Sequence, residues 1–242
     1  CINVICSDKT GTLTENRMTV VQICEHGDFK QPQDVADVDL LTNFCVNATA
    51  DIDIENNAYT FIGNPTECAL LVAADTVRKS FGIAHVYPFS SETKNMTTVV
   101  RTDGGYTVYT KGSPEKILAM CSLDDDVRQK YESQIVACQE KAWRVIGFAH
   151  KDMTVCPDFE TGRQEIESGL IFDGFTAIAD PLRKDVFEAV RNCRKAGIDV
   201  KMLTGDNIVT ASAIATELNL LDKDHIALEA KDIDALNDKE LA

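Results

Sequence analysis

Short apolar runs separated by turn residues organise this chain. Residues 2–6 (INVIC) are apolar at every position but Asn3 and of strand length, which predicts a short buried strand with Asp8 just past its carboxyl end. Residues 18–24 (MTVVQIC) predict a second strand leading away. A helical stretch is expected near 36–48 (ADVDLLTNFCVNA), ahead of a short strand at 58–62. In GNPTECALLVAADTVRKSFG, Asn64 takes the N-cap position, Pro65 the first helical position, Glu67 the third, and Gly82 the stop. Strands are expected at 96–102 (MTTVVRT) and 106–110 (YTVYT), joined as a hairpin by Asp103-Gly104-Gly105. Ser113-Pro114 should cap a short helix, and Val127, Tyr131, Ile135 and Cys138 mark one face of a longer one. Residues 144–149 (RVIGFA) and 170–178 (LIFDGFTAI) have the pattern of strands, so the middle of the chain suits an α+β module with an antiparallel sheet.

The last third alternates strand and helix. Asp180-Pro181 opens a helix that Gly197 ends, residues 198–203 (IDVKML) form a buried strand, and Thr204-Gly205-Asp206 leads into a helix near 207–218. That is a Rossmann-like βαβ unit. The expected organisation is one α/β domain, residues 1–24 and 173–242, interrupted by an insert over 25–172. Neither internal repeats nor low-complexity tracts occur.

Composition narrows the function classes. The apolar share of 44% and charged share of 26% are ordinary for a globular protein. A formal charge of −15 argues against a nucleic-acid partner and leaves no polybasic segment for acidic lipid. The nine cysteines are an odd count without a C-x-x-C pair. Cys24, Cys45, Cys68, Cys138 and Cys193 fall within apolar-periodic stretches as small hydrophobes, so a reducing, cytosolic setting is expected. The four scattered histidines favour ordinary roles over zinc ligation. No stretch approaches the ~20 apolar residues of a membrane helix. The chain begins at Cys1 without Met, as a piece of something longer would.

Asp8 stands at a strand end before a Gly-Thr-rich loop, where ligands and chemistry gather in open α/β sheets. A carboxylate there suits nucleophilic attack on phosphorus with an acyl phosphate as product. Backbone N–H groups and hydroxyls of Thr10, Gly11 and Thr12 could cradle the equatorial oxygens. The alternative is an N-cap or turn Asp. Thr204-Gly205-Asp206 supplies a hydroxyl and backbone donors at the same sheet edge, its alternative being a plain strand-to-helix turn. No G-x-x-x-x-G-K-[ST] occurs, so a P-loop is excluded.

DKTGTLT (Asp8 to Thr14), KGSPE (Lys111 to Glu115), DPLR (Asp180 to Arg183) and TGDN (Thr204 to Asn207) together resemble the cytoplasmic part of P-type ATPases in order and spacing, over roughly residues 1–217. GNPTECALL is similar to the plasma-membrane-type calcium pumps and their relatives. The resemblance implies a haloacid-dehalogenase-like phosphorylation domain split by a nucleotide-binding domain. Asp8 would then be phosphorylated by ATP, with Lys9 beside it in the catalytic loop. Asp8 and the Thr10 carbonyl would hold Mg²⁺, while Thr204, Gly205 and Asp206 hold the phosphate and orient the nucleotide. In the insert the resemblance casts Phe89 as the ring stacked on adenine and Glu67 as the acid on the adenine amino group. Lys94, Met96, Lys111 and Gly112 would line the pocket, Arg144 would reach the phosphates, and Asp180 and Arg183 would complete the nucleotide site. The bland alternatives are a core Phe89, a Glu67 that only closes a capping box, and solvated lysines.

Soluble phosphatases of the same superfamily carry an acid two residues after the nucleophile; here Thr10 stands there and cannot ionise usefully. That favours a pump with a persistent aspartyl phosphate over a phosphatase, a nucleotide-binding module without turnover being the other alternative. Ser91, Glu92 and Thr93 stand where many of the family carry an arginine, and Ala142-Trp143 where a glycine is common, which predicts weaker ATP binding. The family's following lysine and G-D-G-x-N-D stretch do not occur. The expectation is therefore a soluble fragment from the cytoplasmic side of an integral membrane pump. It should bind nucleotide without turnover, leave residues ~219–242 poorly packed, and depend on absent actuator and membrane domains, the latter holding the transported cation, Ca²⁺ by the resemblance.

Overall fold

The computed structural model describes residues 2–55, 58–77, 80–222, 225–229 and 231–232. The chain divides into two compact units, one from Cys1–Arg17, Glu140–Ala142 and Asp180–Ala242, the other from Met18–Gln139 and Trp143–Ala179.

The first unit opens with β1 (Val4–Asp8). The second begins with β2 (Thr19–Glu25) and β3 (Asp28–Lys30), followed by α1 (Val38–Val46). A two-stranded ribbon, β4 (Asp51–Glu55) and β5 (Ala58–Ile62), leads into α2 (Pro65–Ala73). Then come β6 (Ile83–Tyr87), β7 (Asn95–Thr102) and β8 (Gly105–Gly112), with α3 (Pro114–Met120) and α4 (Asp125–Gln139) after them. The unit closes with β9 (Arg144–Met153), the single turn α5 (Arg163–Ile166) and β10 (Ile171–Ala179). Its seven-stranded sheet runs β3-β2-β10-β9-β8-β7-β6, antiparallel at every pairing. β2 and β10 are interior strands of this sheet, so the compact unit starts at Met18 and runs to Ala179 apart from Glu140–Ala142.

Alternation along the strands splits the core. Ile23 and Phe148 point to the side covered by Leu40, Phe44 and Leu70 of α1 and α2. Their neighbours Cys24 and Ala149 point to the side covered by Ile117, Tyr131 and Ile135 of α3 and α4. Val127 of the expected α4 face is 41% exposed, while Tyr131, Ile135 and Cys138 are buried as the pattern predicts. Asn64 caps α2 by accepting from the Thr66 N–H, but the helix ends at Ala73, well before Gly82. Asp75, Thr76 and Val77 are weak helix formers and turn tightly instead; residues 78 and 79 lie outside the described residues. Ser113 makes no side-chain cap to α3.

The first unit adds α6 (Val186–Lys195), β11 (Asp199–Leu203) and α7 (Ile208–Glu217), with β11 parallel to β1. Two expectations fail here. β1 is shifted to end on Asp8, and Val4 and Ile5 are 49% and 37% exposed, because among the described residues its only strand partner is β11. Asp180-Pro181 does not open α6, since Leu182 bridges to Thr14 and the helix starts at Val186. Leu13, Val186, Val190, Val200, Ala215, Leu218 and Leu220 form this unit's core. Leu220 is thus packed, while most of the expectation for 219–242 falls outside the described residues.

A buried pair in the second unit predicts a pH-dependent stability. His150 Nδ1 lies 2.5 Å from Asp173 Oδ1, and Asp173 is fully buried on β10. The hydrogen bond to Asp173, opposed by burial, raises His150 above its ordinary 6.5, and Asp37 and Asp39 at the start of α1 face the pair, as does Asp152 on β9. A raised folded value means the stabilisation is fully present below about pH 6.5 and lost as pH rises through that raised value. His150→Gln should therefore destabilise more at pH 6 than at pH 9 in urea unfolding; a pH-independent difference would contradict this.

Candidate active site

In the first unit the parallel register sets Asp8 opposite Leu203, so the Asp8 loop and Thr204 leave the same edge of the sheet. Asp8 is exposed at the end of β1. Lys9–Leu13 then form one wide turn, closed by the Thr14 N–H donating to Lys9 O at 3.1 Å. Gly11 takes φ +79°, the left-handed region where a side chain would be strained. The Lys9 ammonium is nearly buried and paired with the Asp206 carboxylate. Asp206 N–H donates to Thr204 Oγ1 at 3.1 Å, and Asn207, not Asp206, caps α7 by accepting from Thr210 N–H. Gly205 faces open space.

DPLR braces this loop. Thr14 Oγ1 donates to Asp180 Oδ2 at 2.6 Å, and Arg17 N–H donates to Asp180 Oδ1 at 3.0 Å. Arg183 donates from Nε to Thr14 O at 3.0 Å and from Nη2 to Gly11 O at 2.9 Å. The structure thus places Asp180 and Arg183 against the backbone of residues 11–17.

In the second unit, Glu67 in the first turn of α2 meets Lys111 of β8 at 2.6 Å, with both side chains largely buried. Glu67 Oε2 accepts from Thr49 N–H at 2.8 Å, Thr49 Oγ1 at 2.8 Å and Ala50 N–H at 3.1 Å. Burial pushes the Glu67 carboxyl up, but Lys111 and Thr49 outweigh it and hold it below the usual carboxylate range. Burial pulls Lys111 down, partly offset by Glu67. Glu67 therefore engages Thr49, Ala50 and Lys111 through space; Thr49 and Ala50 gave no signal in the sequence because they meet Glu67 only in the fold.

Met96, beside Lys111 in the β7–β8 register, is buried. Phe89 is 61% exposed, so it is not core. Lys94 has φ +56° and accepts at its carbonyl from Ser113 N–H at 3.0 Å. A Cβ on Gly112 would lie 2.4 Å from Lys94 O, so Gly112 is what lets the two strand ends approach. Arg144 Nη1 donates to Thr66 Oγ1 at 2.7 Å, which brings it to the start of α2. Ala142 sits at φ +58°.

Residues 38–185 match the family described as P-type ATPase, cytoplasmic domain N. Over 98% of its length the chain is 38% identical to the plasma membrane-type calcium-transporting ATPase 3 of Oryza sativa, covering 26% of that protein. It is 36% identical to the calcium-transporting ATPase PAT1 of Dictyostelium discoideum, over 98% of the chain and 23% of that protein. It is likewise 36% identical to the human plasma membrane calcium-transporting ATPase 3, over 94% of the chain and 22% of that protein. The chain thus spans about a quarter of the length of these relatives, and no helix among its described residues is long and apolar enough to cross a membrane. It belongs to the P-type ATPases.

Proposed function

We propose that this chain is the catalytic cytoplasmic part of an ATP-driven cation pump, with Ca²⁺ as cargo on the strength of its relatives' names. The second unit binds the nucleotide, and Asp8 accepts the γ-phosphate. The observation that carries the reading is the convergence of Asp8, the paired Lys9 and Asp206, and Thr204 at one edge of a parallel strand pair. That pair joins segments nearly 200 residues apart, which supports a haloacid-dehalogenase-like phosphorylation domain interrupted by a nucleotide domain.

In the reaction an Asp8 oxygen attacks the γ-phosphorus, the bond to the ADP oxygen breaks, and the leaving pair departs with ADP. Lys9, neutralised by Asp206, holds the loop while leaving Asp8 exposed. Asp180 and Arg183 fix the loop's backbone, so Asp8 is positioned before substrate arrives. Asp8 and the Thr10 carbonyl are hard oxygen donors of the kind Mg²⁺ takes, and phosphate and water oxygens would complete its shell. Bound there, Mg²⁺ would offset phosphate charge. No general base stands two residues after Asp8, because Thr10 occupies that position, so the acyl phosphate persists.

Phe89 is the stacking ring in this reading, with Lys111 and Met96 beneath the nucleotide. Phe89→Ala should weaken ATP binding by about 1–3 kcal/mol, the usual range for lost stacking on a base. Lys111→Ala should weaken it too. Calorimetric titration of the 242-residue chain would show this, and unchanged affinity in both variants would refute the pocket.

A further inference from the structure

Phe89 lies in the loop 88–94, whose stems are the end of β6 at Tyr87 and the start of β7 at Asn95. Both stems reach the single turn α5, which had no signal in the sequence pattern. On the first stem, the Arg163 guanidinium carbon lies 4.9 Å from the centre of the Tyr87 ring, and the Tyr87 hydroxyl donates to Phe159 O at 2.8 Å. On the second stem, Asn95 Nδ2 donates to Glu167 Oε1 at 2.9 Å and Thr97 Oγ1 donates to the same oxygen at 2.7 Å. Arg163 Nε also donates to Glu167 Oε1, at 3.1 Å, which closes the bracket.

The turn that carries this bracket is itself held. Ile166 is buried against Tyr87, Val99 and Val108, and Lys151 Nζ donates to Glu165 O and Ser168 O at 2.8 and 2.7 Å. Asn95 and Thr97 alternate with Met96, so Glu167 grips β7 from the face opposite Met96. Within the loop the Ser90 and Thr93 hydroxyls hydrogen-bond at 2.8 Å and Lys94 N–H donates to Ser90 O, but Phe89 itself stays exposed. Among the described residues Asn95 Oδ1 and Arg163 Nη2 are buried without a hydrogen-bond partner, a costly arrangement to keep for stability alone.

We propose that Arg163 and Glu167 are positioning residues for the Phe89 loop, clamping its two stems so that the ring is held ready for a planar base. The inference rests on the nucleotide reading of the second unit. A flexible loop would pay the ordering cost on binding, whereas a clamped one has it removed beforehand. Arg163 and Glu167 touch no ligand in this account; they act through Tyr87, Asn95 and Thr97.

The test uses the 242-residue chain and two readouts. Heteronuclear NOEs of the 89–94 amides, without nucleotide, should fall in Glu167→Gln and in Arg163→Ala while β8 and β9 amides keep wild-type values. ATP affinity of the same variants should fall about tenfold, the scale expected when preorganisation is lost without loss of the ring. Wild-type loop NOEs in both variants would overturn the clamp, and so would a loss spread through β8 and β9. The NOE readout contains no nucleotide, so it decides the clamp even if the wild-type chain bound none, an outcome that would instead defeat the nucleotide reading.

Discussion

A full-length pump carrying this segment with Asp8→Asn should form no acid-stable phosphoenzyme yet still bind ATP. Asparagine keeps the shape of the side chain and removes the charge that makes an oxygen attack phosphorus. Asp8 is exposed at the end of β1, so the substitution disturbs neither the Lys9–Asp206 pair nor the bonds from Asp180 and Arg183 that shape the loop. The loss should be that of a deleted nucleophile, on the order of 10⁴–10⁶ in phosphorylation rate. Nucleotide affinity should hold or rise, because one negative charge facing the phosphates is gone. Acid-quenched labelling with γ-labelled ATP, followed by hydroxylamine release, measures the first quantity, and calorimetry the second. Label retained in Asp8→Asn at wild-type level would remove Asp8 from the mechanism.

The parts of the fold legible in the sequence were those whose signals are local. Asn64-Pro65 marks the start of α2, and the Asp103-Gly104-Gly105 turn marks the β7–β8 hairpin; both stand where expected. Burial of Tyr131, Ile135 and Cys138 followed from helical spacing alone. Errors came where a long-range contact decides the outcome. Asp180-Pro181 looks like a helix start, but the Asp180 carboxylate is taken by Thr14 and Arg17, residues more than 160 positions away. The apolar run at β1 has the composition of a buried strand, yet burial depends on what flanks it. The turn α5 is only four residues long, too short for periodicity to register.

The candidate site divides in the same way. Asp8, Lys9, Thr204 and Asp206 were visible as two motifs following two strands, and the parallel pairing of β1 and β11 brings those motifs to one edge. In the second unit Glu67 and Lys111 were visible singly. Their contact was not, nor was the ring of donors that Thr49 and Ala50 supply, because those residues carry no motif and meet Glu67 only through the packing of α1 on α2. For Gly112 the structure shows a backbone role, a close approach to Lys94 O that leaves no room for a side chain.

That contact sets up the second large effect. Glu67→Gln should destabilise the chain by about 3 kcal/mol at pH 7, the scale for removing one partner of a buried ion pair. The Lys111 side chain is only 8% exposed, so its ammonium would be left in a site with no compensating charge. Lys111→Met should cost much less. The methionine is apolar next to buried Met96, and the stranded Glu67 carboxylate keeps the Thr49 and Ala50 donors. The pH dependence separates the causes. Burial already lowers Lys111 below its ordinary value, and without Glu67 it falls further. A lysine depressed in the folded state penalises folding below that depressed value, and the penalty is released as pH rises through it towards the unfolded value of 10.5. The deficit of Glu67→Gln should therefore shrink between pH 7 and pH 9.5. At the acid end the sign reverses for the wild type: the Glu67 stabilisation is present above the unfolded 4.5 and lost as pH falls through the lowered folded value. Urea unfolding of both variants at pH 7 and 9.5 measures these terms. Equal losses for Glu67→Gln and Lys111→Met, or a Glu67→Gln deficit that does not change with pH, would show that the pair is not the buried charge arrangement described.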